Sequence, residues 1–209
     1  MRAPEIRGFA LVATLIAAIA IPWIDVPLAR AVHGSAIEDH RVLQGGTVLL
    51  DWVTLKEVWR YLLATLILVP GLVLMAMPAR RELGARFVFV GGVHGLASLV
   101  VALLKPVIGR VRPDELIVGG ADPAWFVGGS SFPSGHTAFY FGLFLPLAWL
   151  FPRWRTAWLF VPVFIGLARI DANDHYLADV CTSIALSCAL TLAFARLLRR
   201  WLPTDDEPR

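Results

Sequence analysis

Six stretches of the chain run without an acidic or basic side chain other than histidine: residues 8–24, 61–79, 87–104, 137–152, 156–168 and 180–195. A helix needs about 20 mostly apolar residues to cross the hydrocarbon core, somewhat fewer where its ends snorkel. The pattern predicts six membrane-spanning helices, of which 156–168 is the shortest and carries Pro162. The fold class that follows is all-α, a polytopic six-helix membrane bundle forming one domain over residues 1–209. No repeat, low-complexity tract or linker divides it. Residues 37–57 mix Gly45 and Gly46 with Leu49, Leu50 and Trp52, which reads as an amphipathic helix lying on the outer membrane surface. Arg2 and Arg7 ahead of Ala18-Ile19-Ala20 also fit a cleavable leader. The apolar run continues to Ile24, which favours an uncleaved first span.

Composition agrees with the pattern. Hydrophobic residues make up 57% of the 209 and charged residues 17%, and the mean hydropathy is +0.68. A soluble bundle leaves six such runs unexplained. Trp23, Trp59, Trp125, Trp149, Trp154, Trp158 and Trp201 lie at or near run ends, where amphipathic rings favour the headgroup level.

Charge sets the orientation. The connections holding Arg7, Arg80, Arg81, Arg86, Arg153, Arg155, Arg196, Arg199 and Arg200, with both chain ends, carry a net +6; the other set carries −3. Basic connections stay cytoplasmic, so both termini are expected inside. The pI near 9.2 reflects this asymmetry and implies no nucleic-acid partner. Cys181 and Cys188, seven apart in the last run, read as packing residues rather than a disulfide.

The polar residues nearest the membrane then gather on the outer face. Lys105 ends the third run, with Arg110, Arg112 and Pro113 close behind; His136 opens the fourth; Arg169 closes the fifth; His175 and Asp179 open the sixth. In the stretch SFPSGHT (residues 131–137), Pro133 suits a first helical turn. Gly135 leaves the amides of Ser134, Gly135 and His136 open to an anion at a helix N-terminus. Lys105, Arg112 and Arg169 add cations suited to phosphate or pyrophosphate.

His175 and Asp179 are i and i+4 and would share a helix face. Asp179 can accept the Nδ1–H and leave Nε2 free as a nucleophile. His136 is then placed to protonate a departing oxygen. Taken singly, PSGH could be an ordinary helix start and a His–Asp pair an ordinary structural contact. His94, beside Gly91, Gly92 and Gly95, reads as a buried contact between helices, and His33 and His40 as solvated loop residues. No Cys, His or Asp set has metal-site spacing, so neither metal nor cofactor is expected.

Together these segments resemble the type 2 phosphatidic acid phosphatase superfamily, the membrane lipid phosphatases related to the vanadium haloperoxidases. Lys105-PVIGRV-Arg112-Pro113 matches its first motif, Pro133-Ser134-Gly135-His136 its second, and Arg169-IDAND-His175-YLA-Asp179 its third. The resemblance spans about residues 60–198. It implies phosphate bound by Lys105, Arg112, Ser134, Gly135 and Arg169, attack by His175 to form a phosphohistidine, proton donation by His136, and hydrolysis without metal. Ala168 stands where the family usually has Ser, which predicts one hydroxyl fewer near the phosphate.

The implied partners are the bilayer and a lipid phosphate. Phosphatidylglycerol phosphate, phosphatidic acid, an isoprenoid pyrophosphate and a lipid A phosphate all fit. The chain's size suggests a bacterial inner-membrane enzyme acting at the extracytoplasmic face. Two rival readings share the cations: a lipid-to-lipid phosphotransferase with the same intermediate, and a transporter or anionic-lipid-binding protein, which has no need of a poised His–Asp pair. The loop 114–132, with Trp125 and Phe126, is expected to dip to headgroup level and admit the lipid.

Overall fold

A computed structural model of the chain describes residues 1, 3–34 and 41–202. His40, Arg2, the start of the predicted surface helix and the charges after residue 202 lie outside the described residues. Every regular element among those described is helical: α1 (Ala3–Ile19), α2 (Asp25–Gly34), α3 (Arg41–Val53), α4 (Leu62–Ala76), α5 (Arg81–Ile108), α6 (Pro113–Ile117), α7 (Gly135–Leu150), α8 (Arg155–Asp171) and α9 (Leu177–Leu197). A π turn at Ala20–Ile24, holding Pro22, joins α1 to α2.

All six apolar runs became helices, namely α1, α4, α5, α7, α8 and α9. Three continuous helical stretches are long and apolar enough to cross a membrane: Ala3–Gly34, Pro78–Ile117 and Leu177–Leu197. The helices α4, α7 and α8 have 15, 16 and 17 residues. At about 1.5 Å per residue they reach roughly 22–26 Å, short of a full hydrocarbon core.

α7 is the central post. It packs against α5, α8 and α9, while α4 lies on α5, α1 on α9 and α3 on α8. Close approach depends on small residues, since little hydrophobic force acts between helices in lipid. A Cβ at Gly91 would fall 2.7 Å from the Leu68 amide, and one at Gly142 3.0 Å from Ala97. His94 sits at this α5–α7 contact, fully buried, with Nδ1 3.0 Å from the Phe139 carbonyl, so the structural reading of that histidine holds. Cys181 and Cys188 are both buried and unbridged. His33 is exposed as expected, but it belongs to the last turn of α2 rather than a loop.

α3 is amphipathic in an inverted sense. Thr47 and Asp51 are buried while Val48, Leu49, Trp52 and Val53 face outward. A Cβ at Gly46 would meet the Phe164 ring at 2.6 Å, so the polar stripe is drawn tightly against α8. An apolar outer face suits lipid; the inward polar stripe is a site component that the surface-helix expectation did not include.

Candidate active site

The C-terminal ends of α5 and α8 and the N-terminal ends of α7 and α9 meet at one end of the bundle. There they enclose a cavity of about 250 Å³ lined by Lys105, Arg112, Gly135, His136, Arg169 and His175, joined by Lys56 and Arg60 from the segment after α3. Six of the eight residues singled out from sequence thus surround one space. Ser134 and Asp179 are the exceptions, each wholly buried behind its wall.

α7 begins two residues later than proline at its first position would require. Ser134 is the N-cap, its Oγ accepting from the Thr137 hydroxyl at 2.9 Å, and Pro133 lies outside the helix. The Ser134 N–H donates to the Asp179 carbonyl at 3.2 Å, so this amide is already committed and the anion site is left to Gly135 and His136. Gly135 keeps the approach open: a Cβ there would rest on Lys105 Cε at 3.6 Å, on the cavity side.

The third motif also folds differently from the expected continuous helix. α8 ends at Asp171, Asn173 turns with φ +54°, and α9 starts only at Leu177. His175 therefore precedes the helix that holds Asp179. The pair is 3.6 Å apart, beyond hydrogen-bond length, and His175 Nδ1 has no hydrogen-bond partner among the described residues. Asp179 is instead saturated by others. Oδ1 accepts from Arg110 at 2.6 Å, and Oδ2 accepts from the Ser131 hydroxyl and from the Tyr176 amide at 3.0 Å. Burial is the larger influence on His175 and holds its imidazole below the ordinary value of 6.5, against the upward pull of Asp179. The ring is therefore neutral at neutral pH, the form with a lone pair to give.

Arg110 links three segments. Its guanidinium bridges Asp179 and Asp25, the latter at 2.7 Å, and lies between the Trp125 and Tyr176 rings at 4.4 and 3.9 Å. Asp25 Oδ1 also accepts from the Ala178 amide at 3.0 Å, fixing the start of α9. Trp125 is half-buried, packed against Arg110 and Phe132. Phe126, 74% exposed, and Val127 remain at the loop surface. The loop folds back on residues 108–111, with the Phe126 amide on the Ile108 carbonyl at 2.8 Å and the Ser131 amide on Arg110 at 3.0 Å.

Asp174 was not singled out in the sequence, yet it holds two of the cations. It accepts from Arg169 and lies 3.4 Å from Arg112, whose Nε–H donates to Ser130 Oγ at 3.0 Å. Lys105 donates to the Ser130 carbonyl. The Arg169 Nε–H is buried with no hydrogen-bond acceptor among the described residues. Ala168 is 1% exposed and does not line the cavity, so the hydroxyl missing there is not one taken from the cavity wall. Among the described residues no cluster of three or more His, Cys, Asp or Glu side chains could hold a metal ion.

Comparison with known proteins gives the family. The pattern of the PAP2 superfamily matches residues 86–203, more than half of the chain and all three motifs, and the chain belongs to that superfamily. Over 108 residues it is 36% identical to a lipid A 1-phosphatase of Rhizobium johnstonii and 33% identical to a lipid A 1-phosphatase of Rhizobium etli. Those alignments cover 50% of this chain and 44% and 47% of the relatives, so the chain spans less than half of each relative's length. No solved structure matches it.

Proposed function

We propose that the protein is an integral membrane lipid phosphatase that hydrolyses a phosphate monoester or pyrophosphate of a lipid through a phosphohistidine. The observation that carries this reading is the convergence of two histidines and three motif cations on one small cavity at one end of an apolar bundle. His175 attacks phosphorus and the P–O bond to the lipid breaks. Lys105, Arg112, Arg169 and the Gly135 and His136 amides stabilise the oxygens as charge develops. His136 gives a proton to the leaving oxygen, and water then cleaves the phosphohistidine to free phosphate. No metal takes part. The 3.6 Å His175–Asp179 contact shortens to a hydrogen bond when phosphate arrives, since such contacts are often long before substrate binds.

All six apolar helices span the bilayer in this reading, the shorter α4, α7 and α8 with their end residues snorkelling to the interface; both termini are cytoplasmic and the cavity faces the periplasm. The charge asymmetry supports it: Arg81 and Arg196 lie at the ends of α5 and α9 remote from the cavity, where Arg7, Arg196 and Arg199 also share a surface groove. The relatives' names favour a lipid A phosphate as substrate.

The test is phosphate release in detergent micelles with EDTA, using lipid A, phosphatidic acid, phosphatidylglycerol phosphate and an isoprenoid pyrophosphate. Release that survives EDTA, is fastest with lipid A and vanishes in His175→Ala supports the reading. Label passing to a second lipid instead of to free phosphate would make the protein a phosphotransferase. No turnover of any lipid by folded protein would leave it an anionic-lipid-binding protein.

A further inference from the structure

His136 is held by two residues from a part of the chain that no motif reaches. Its Nε2 lies 3.0 Å from Asp51 Oδ2 and 2.6 Å from Lys56 Nζ, and Lys56 is itself 2.8 Å from the same Asp51 oxygen. The other Asp51 oxygen accepts from the Tyr140 hydroxyl at 2.6 Å, and Tyr140 is one turn along α7 from His136. Thr54 closes the group, its Oγ1 3.2 Å from the Tyr140 hydroxyl. Asp51 and Tyr140 are buried, so this arrangement fixes the ring from behind. Both contacts fall on Nε2, which leaves Nδ1 as the nitrogen available to a ligand.

We propose that Asp51 and Lys56 are positioning residues that orient His136 and set its readiness to give a proton to the leaving oxygen. The pair works as a balance. Asp51 places a negative charge beside the ring and favours the imidazolium; Lys56 places a positive charge beside the same nitrogen and disfavours it. Burial alone would raise the Asp51 carboxyl, but hydrogen bonds from His136, Lys56 and Tyr140 outweigh it and hold the group well below the usual carboxylate range. Asp51 thus stays anionic throughout the working range of pH. Lys56 is drawn below its ordinary value by burial, with Asp51 pulling it back up.

The charges around His136 on other elements are Arg60 and Glu57 beside Lys56, Lys105 on α5, Arg112 before α6, Arg169 on α8 and His175 ahead of α9. These stay in place in the variants below, so a change in the behaviour of His136 reads the pair alone. The proposal rests on the phosphatase reading only for the use to which the proton is put. The arrangement itself can be tested without turnover.

The experiment follows His136 in wild type, Asp51→Asn and Lys56→Met in detergent, by two readouts. The first is the pH dependence of carbethoxylation at His136, read by peptide mass spectrometry on folded protein. The second is the basic limb of the kcat/KM profile for lipid phosphate. Charges within about 4–6 Å move an imidazole by about one pH unit. Asp51→Asn is expected to move both readouts to lower pH and Lys56→Met to higher pH. Asp51→Asn also lowers kcat by about 10- to 100-fold, less than the loss of a general acid itself. Lys56→Arg keeps the charge and restores the wild-type limb.

Opposite shifts in carbethoxylation without lipid turnover by wild type would uphold the pair and overturn the phosphatase reading. Midpoints unmoved in both variants would overturn the pair, whatever the activity. If Asp51→Asn does not fold, Lys56→Met still decides by the direction of its shift.

Discussion

His175, backed by Asp179, and His136, backed by Asp51, line the same cavity and are built in different ways. Asp179 is 3.6 Å from its histidine and gives its best contacts to Arg110, Ser131 and the Tyr176 amide. Asp51 is 3.0 Å from His136 and also accepts from Lys56 and from the Tyr140 hydroxyl. The first aspartate is a structural hub that joins α2, the loop before α7 and α9, and influences its histidine mainly by charge. The second touches its histidine directly and is shared among His136, Lys56 and the Tyr140 hydroxyl. A nucleophile needs a free lone pair and room to move toward phosphorus, whereas a proton donor needs a fixed direction and a tuned proton affinity. In the proposed mechanism the two pairs divide along that line.

The largest effect that sharpens this division is at the nucleophile. His175→Ala is expected to lower phosphate release by about 10⁴-fold or more, because a nucleophile's loss is not made good by the remaining groups. A release assay showing residual activity above that would reassign the attacking group.

Asp179→Ala comes next, and its signature is unfolding as well as rate. It leaves Arg110 paired with Asp25 but strands the Ser131 hydroxyl and the Tyr176 amide, and each buried donor left without an acceptor costs about 1–3 kcal/mol. Thermal unfolding in detergent should show a clearly lowered midpoint, and an unchanged one would remove the hub role. The pH profile separates the pairs further. His175 is held below 6.5 by burial, so the acidic limb of kcat/KM, where the ring becomes protonated as the pH falls, should be centred below pH 6.5. An acidic limb centred above 6.5 would contradict a buried, neutral nucleophile.

The smallest effect lies in the loop. Trp125→Ser removes the ring over Arg110 and should lower stability by about 0.5–2 kcal/mol. Phe126→Ser leaves stability unchanged and raises KM a few-fold for micellar lipid but not for a soluble short-chain phosphate. Equal loss on both substrates would detach Phe126 from lipid capture.

The fold was legible where hydrophobicity is local. All six apolar runs became helices because each can satisfy its own backbone and bury or expose an apolar surface. The motif residues were legible because each cluster is compact in sequence and lies at a run end. What the sequence hid was set by tertiary contact. Helix boundaries moved at Ser134 and His175, where Asn173 turns the chain and Asp179 caps the next helix. Asp51 and His136 are 85 positions apart, so no spacing rule links them. Arg110 and Asp174 look like solvated charges until their partners arrive from other segments. One signal for Asp51 was present: a lone acid within TVLLDWV, flanked by apolar residues, has to find a cation or donor if that segment packs.

The central claim is that His175 carries the phosphoryl group. The direct measurement is to quench the enzyme during turnover of a lipid labelled in its phosphate and map acid-labile, base-stable label by peptide. Label on the His175 peptide, absent from His175→Ala, is the predicted result. Turnover at the wild-type rate with no label on His175 would contradict it.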